Sequence, residues 1–174
     1  MDKAAIARSL ERISSQIFEN NPNIKKLAIV GIRERGDDLA KRILKIVETH
    51  CNEKPAFGQV DITLYRDDFR ELTDIPVAKG SEFRFNPKDM VIILVDDVLY
   101  TGRTVRSAID VILDFGRPCS IQLAVLIDRG GRELPICPDY VGMSVQLRVD
   151  EYVQVLTAET DGMDQVLLRL RKKQ

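Results

Sequence analysis
Val91–Thr104, VIILVDDVLYTGRT, is the stretch from which the fold is read. Five apolar residues, mostly β-branched, give way in one step to the paired acids Asp96 and Asp97. A short apolar run bounded by sudden polarity reads as a strand buried on both faces, as found inside a parallel sheet. In open α/β sheets, ligands bind just beyond the carboxyl ends of such strands, where the two acids fall. Tyr100-Thr101-Gly102-Arg103-Thr104 then supplies hydroxyls, a glycine and a cation, and leads into a helical pattern carrying Val105, Ile109, Ile112 and Leu113. Glycine admits close backbone approach, and a helix N-terminus offers unpaired N–H groups at a positive dipole end. That is a socket for an anion, best suited to a phosphate monoester. Carboxylates beside it repel the phosphate and instead suit hydroxyls, or a magnesium ion, on the same ligand. A ribose 5-phosphate group satisfies both demands.

Composition sets the outer limits. A chain of 174 residues with 44% hydrophobic and 30% charged residues suits one globular domain over 1–174. No apolar run approaches bilayer thickness, and the N-terminus MDKAAIARSL lacks an apolar signal core, so no membrane partner and a cytoplasmic address are expected. Cys51, Cys119 and Cys137 show no Cys-x-x-Cys spacing and read as reduced thiols. His50 is the lone histidine, which disfavours histidine base catalysis and histidine metal sites. A net charge of −1 gives no global attraction to nucleic acid, so any RNA site is a local patch.

Ile6, Leu10, Ile13 and Ile17 recur at helical spacing before Asn20-Asn21-Pro22 breaks the pattern. Leu27–Val30 reads as the first buried strand, delivering Gly31-Ile32-Arg33-Glu34-Arg35-Gly36 ahead of a helix from about Asp37 to His50. A glycine-bounded loop in that position turns amides and Arg35 toward a second anion. No GxxxxGK[ST] occurs, so a nucleoside-triphosphate loop is not the source of phosphate affinity. Val60, Ile62 and Leu64 alternate with polar residues and predict a half-buried strand. The polar stretch from Arg66 to Lys88 lacks strong periodicity and reads as a lid loop. Ile121–Ile127 predicts another buried strand, which delivers Asp128-Arg129-Gly130, and Val149–Val155 returns as a strand. Val166–Leu170 reads as a short helix or strand without an assignable task.

The strand–Asp-Asp–x-x-x-Thr-Gly pattern resembles the PRPP (phosphoribosyl pyrophosphate) motif of type I phosphoribosyltransferases. The longer runs DITLYRDD, VDDVLYTGRTVR, GRPCSIQLAVLIDRG and RELPI resemble one subgroup, the PyrR pyrimidine-operon regulators that are also uracil phosphoribosyltransferases. The similarity runs along nearly the whole chain in consistent order. It implies an α/β fold with a central, mostly parallel sheet flanked by helices, a small hood over about 130–153 and a flexible lid over about 66–88. It implies conversion of uracil and PRPP to UMP and diphosphate, with Mg2+ as cofactor. Glu34 and Arg35 then hold the diphosphate, and Asp96, Asp97, Val98, Leu99, Tyr100, Thr101, Gly102, Arg103 and Thr104 hold the ribose phosphate. Asp96 and Asp97 also meet the metal, directly or through ligand hydroxyls and water. Asp96, Asp97 and Arg66 carry the chemistry, Arg66 beside Arg70 facing the departing diphosphate. Arg129, Ile136 and Val153 meet the base. Because positioning and charge stabilisation drive such a transfer, no nucleophilic side chain is needed.

The same resemblance implies a homo-oligomer, dimer or tetramer, and an attenuator mRNA hairpin as second partner. Here the chain departs from the subgroup: a histidine is replaced by Gly131, an arginine by Cys137 and a lysine by Met143, while helix one offers Ser14 and Ser15. Arg132 remains as the cation of that surface. Two alternatives stay beside the main reading: a non-catalytic UMP-sensing RNA-binding regulator, and a phosphoribosyltransferase for another base.

Overall fold
The computed structural model describes residues 1–51, 53–62 and 81–170. Its centre is a six-stranded sheet in the order β3-β2-β1-β4-β5-β6, with β1 Leu27–Ile32, β2 Ala56–Val60, β3 Glu82–Phe83, β4 Val91–Leu99, β5 Ser120–Asp128 and β6 Tyr140–Ser144. Every neighbouring pair is parallel except β2 and β3. Period-two alternation divides the core into two clusters, one on each face. Leu27, Ile29, Ile93, Val95 and Ala124 meet α1 (Lys3–Asn20) and α2 (Arg35–His50), through Ile6, Leu10, Ile13, Ile17, Leu39 and Ile43. Ala28, Val30, Ile92, Leu94, Leu123 and Val125 meet α3 (Arg103–Phe115), through Val105, Ala108, Val111 and Ile112. A sheet covered by helices on both faces needs near-continuous apolar strands, and β1 is buried at all six positions. Beyond the sheet, β7 (Glu151–Leu156) and β8 (Gln165–Leu170) form an antiparallel ribbon joined through the four-residue helix α4, Ala158–Asp161.

Several expectations change. β4 does not stop at Val95: it runs on through both acids to Leu99, because pairing with β5 continues from Val91–Ser120 to Leu99–Asp128. β2 runs from Ala56 to Val60, so the expected alternation overlaps it only at Val60; Ile62 is buried beyond the strand, and Leu64 lies outside the described residues. The Pro138–Gly142 part of the expected hood supplies most of β6, the sixth strand of the main sheet. Asp139 accepts the Leu123 amide at 2.7 Å, and the Tyr140 hydroxyl donates to Gln122 at 2.8 Å. Leu113 lies 50% exposed, off the buried face of α3. Val166–Leu170 is a strand. Of the expected lid, β3 pairs antiparallel with β2, while 66–80, with Arg66 and Arg70, lie outside the described residues. Among the described residues, no helix is long and apolar enough to cross a membrane.

Candidate active site
β1 and β4 are neighbours in the sheet, yet the chain leaves them in opposite directions. After β1 it passes through α2 to β2, and after β4 through α3 to β5. Such a reversal opens a crevice beyond the carboxyl ends, and the registers pair Gly31 with Val95 at its mouth. The 33–36 turn into α2 and the 96–102 segment, the end of β4 and the turn into α3, therefore stand side by side. Gly36 shows how closely: a Cβ placed there would lie 2.6 Å from the Val95 carbonyl oxygen and 3.1 Å from the Asp96 Cα.

Asp96 is buried, its Oδ1 accepting the Asp97 amide at 2.9 Å, and Oδ1 of the partly buried Asp97 accepts the Val98 amide at 2.8 Å. Burial pushes the Asp96 carboxyl well up from its usual range, and the adjacent Asp97 charge adds to the rise. Burial raises Asp97 too, against the pull of the Val98 amide and the Arg35 cation. Two carboxylates sharing one crevice resist both being ionised, and a nearby cation offsets part of that cost. Tyr100 then turns outward, and Gly102, at φ 92°, opens α3 with no capping side chain of its own, while the Thr101 hydroxyl accepts the Arg103 amide at 3.3 Å. Left-handed backbone there is natural to glycine, and a helix start leaves its first amides without partners inside the helix. Thr101 fixes this loop to the chain beyond β5, its carbonyl accepting the amides of Glu133 and Leu134 at 3.0 and 3.1 Å. Arg103 donates to Glu133 at 2.7 Å, and Thr104 is exposed in the first turn of α3.

On the β1 side, Arg33 and Glu34 are exposed, and the peptide between them is cis. They border a cavity of about 540 Å³ that Asp37, Lys41, Gln59 and Thr160 also line. Arg35 pairs with Asp161 of α4 through two contacts, 3.0 and 2.8 Å. Neither Asp161 nor α4 stood out in the sequence, because a short TAETDG turn carries no motif.

Arg129 follows β5. Its guanidinium lies 3.8 Å over the Tyr100 ring, and its buried Nε finds no acceptor among the described residues. An ordinary ion pair with Asp128 or Glu133 does not form there: Asp128 takes Arg132 and Glu133 takes Arg103. Ile136 packs at Gly102, its side chain within 3.4 Å of where a Cβ would stand, so the chain after β5 leans on the β4 loop. Val153, on β7, lines an apolar cavity of about 280 Å³ shared with Met1, Ile127, Met143, Val145 and Val166.

Arg132 donates to the carbonyls of Ile136, Tyr100 and Gly130 and to Asp128 at 2.6 Å, so it staples the loop after β5 to the β4 loop. Ser14 is buried inside α1 rather than offered to solvent, and Ser15 donates to the Glu11 carbonyl.

A strand running into an acid pair, a helix opening at Gly102 and a second strand-to-helix turn meet at one sheet edge, an arrangement that suits a phosphoribosyltransferase. The Phosphoribosyl transferase domain model matches residues 2–159. The chain belongs to this family and, within it, to the PyrR group. It is 51% identical over 169 residues to the "Bifunctional protein PyrR" of Clostridioides difficile, covering 97% of this chain and 96% of that protein. Its identity to the protein of the same name from Brevibacillus brevis is 49%, with 97% and 94% covered. The fold is shared with hypoxanthine phosphoribosyltransferases. That of Trypanosoma cruzi superposes with a TM-score of 0.74 at 15% identity over 99% of this chain and 95% of that one. That of Staphylococcus aureus gives 0.67 at 18% identity over 93% and 81%.

Proposed function
We propose that the crevice binds PRPP and uracil and releases UMP and diphosphate. The observation that carries this reading is the meeting of the 33–36 and 100–104 segments beside the acid pair at the β1–β4 switch point. In this reading Thr101, Gly102, Arg103 and Thr104 receive the 5-phosphate on the amides that open α3, with Val98, Leu99 and Tyr100 shaping the wall. Asp96 and Asp97 receive the ribose diol. Glu34 and Arg35 receive the diphosphate. Uracil N1 forms its bond to the anomeric carbon as the carbon–oxygen bond to diphosphate breaks, and the N1 proton leaves to solvent. Asp97, near the sugar, stabilises the positive charge that grows on the ribose. Arg66, outside the described residues, belongs to the same reading as a cation facing the departing diphosphate.

Two hard carboxylates fit a magnesium ion that takes its remaining ligands from substrate and water. No cluster of three or more protein ligands occurs among the described residues, which suits a metal arriving with PRPP. When bound, Mg2+ would neutralise diphosphate charge, with Asp96 and Asp97 holding it directly or through ligand hydroxyls.

Arg129 favours uracil. A buried N–H without an acceptor suits a base that presents carbonyl oxygens, and the guanidinium fork is fixed against Tyr100. Ile136 and the Val153 backbone complete this end. Free Cys51, Cys119 and Cys137 suit the reducing cytoplasm we assign to the reaction. The PyrR relatives are named bifunctional, and we assign the second role here to an attenuator mRNA hairpin bound when UMP fills the crevice, on a dimer or tetramer. Assaying UMP formation from uracil and PRPP, beside hypoxanthine, guanine and orotate, tests the main reading. Turnover with uracil alone is expected. Turnover with another base reassigns Arg129, and none with any base leaves a UMP sensor.

A further inference from the structure
Arg35 is held before any substrate arrives. Asp161 takes its Nε and Nη2, a side-on grip that leaves the Nη1 edge of the fork for another anion. Asp161 is itself fixed, its Oδ2 accepting the Thr157 amide at 2.9 Å. The turn that carries it is bound to α2 at two more places. Thr157 and Thr160 hydroxyls donate to the buried Asp38 at 2.6 and 2.7 Å, and Arg42 is gripped between Glu159 and Asp164. Arg35, Asp38 and Arg42 recur at spacings of three and four, so α4 docks along one face of α2. Arg35 and Asp97 also feel each other's charge across the crevice. A lone surface ion pair contributes little, but this one is two-pronged and braced from behind.

We propose that Asp161 is a positioning residue for the transfer. It fixes the Arg35 fork so that the remaining edge faces the diphosphate of PRPP, and the α4 turn is the strut that holds Asp161 in place. An arginine ordered beforehand loses less freedom when the ligand binds. The inference rests on the reading of the 33–36 loop as the diphosphate socket.

UMP supplies the discriminating probe, since it shares the phosphate, ribose and base but has no diphosphate. In Asp161→Asn and Asp161→Ala, the affinity for PRPP and for magnesium diphosphate is expected to fall about tenfold. UMP affinity stays within about twofold of the parent chain, which also verifies folding, and KM for uracil does not move. Placed on Arg35→Ala, the Asp161→Ala change adds nothing, because the two act as a unit. PRPP affinity that is unchanged or tighter in the Asp161 variants overturns the proposal, as does equal weakening of PRPP and UMP. If Arg35→Ala alone spares PRPP affinity, the socket reading fails and takes the proposal with it. If Arg35→Ala weakens PRPP and the Asp161 variants do not, only the proposal falls.

Discussion
The Asp96 carboxyl, held above its usual range by burial and by Asp97, makes the crevice sensitive to pH. A carboxyl raised in the folded chain keeps a proton that the unfolded chain has released. Stability is therefore lowest above the raised value and is regained as pH falls toward the ordinary value of about 4. Asp96→Asn should be more stable than the parent at neutral pH, with the gap closing on acidification. Urea midpoints between about pH 4 and 8 measure it, and a gap that widens on acidification refutes the burial argument. Asp97 carries a different expectation. Asp97→Asn should lower kcat by about a hundredfold and PRPP affinity far less, as for a group felt mainly in the transition state; unchanged kcat removes it from a chemical role. Gly36→Ala sets a Cβ against the Val95 carbonyl and must push the 33–36 segment, the proposed diphosphate socket, outward. Steady-state kinetics should show PRPP use falling by about one to two orders of magnitude. The acids themselves were legible from sequence, because their sudden appearance after Val95 has no packing explanation. Their burial was not, since it depends on β4 continuing beside β5.

Among elements, α1 and α3 were legible from their helical period and β1, β4 and β5 from their unbroken apolar runs, although the ends of β1 and β4 were placed too early. β6 was not: Pro138, Asp139 and Gly142 speak for a loop, and only the bonds of Asp139 and Tyr140 to the Leu123 amide and the Gln122 side chain make it a strand. The α4 turn was hidden for a related reason, as its role lies in side chains that reach back to α2 over more than a hundred residues of sequence. Asp38 is the buried node of that contact. Asp38→Ala strands two hydroxyls and should destabilise the chain by about 2–3 kcal/mol. In calorimetry that corresponds to a fall in Tm of roughly 4–12 °C. An unaltered Tm indicates that the turn does not depend on this anchor.

At the scale of the molecule, the fold followed from one run because parallel sheets place every strand's carboxyl end on the same edge. Two loops far apart in sequence had to converge once β1 and β4 became neighbours. The outer surface was less legible, since charges on it are set by substitution rather than by packing. Exposed Cys137 and Met143 stand where the resembling subgroup carries cations. Restoring them as Cys137→Arg and Met143→Lys should steepen the salt dependence of hairpin binding by about one unit for each additional phosphate neutralised. Titrations at several salt concentrations read the slope; an unaltered slope places the RNA elsewhere.

The chain contains no tryptophan and four tyrosines, and one of these, Tyr100, rests its ring on the Arg129 guanidinium. If the base binds at Arg129 as proposed, its arrival must disturb the pair. Intrinsic ultraviolet emission of the unlabelled protein thus offers an optical gauge of occupancy, with Tyr100→Phe as its blank.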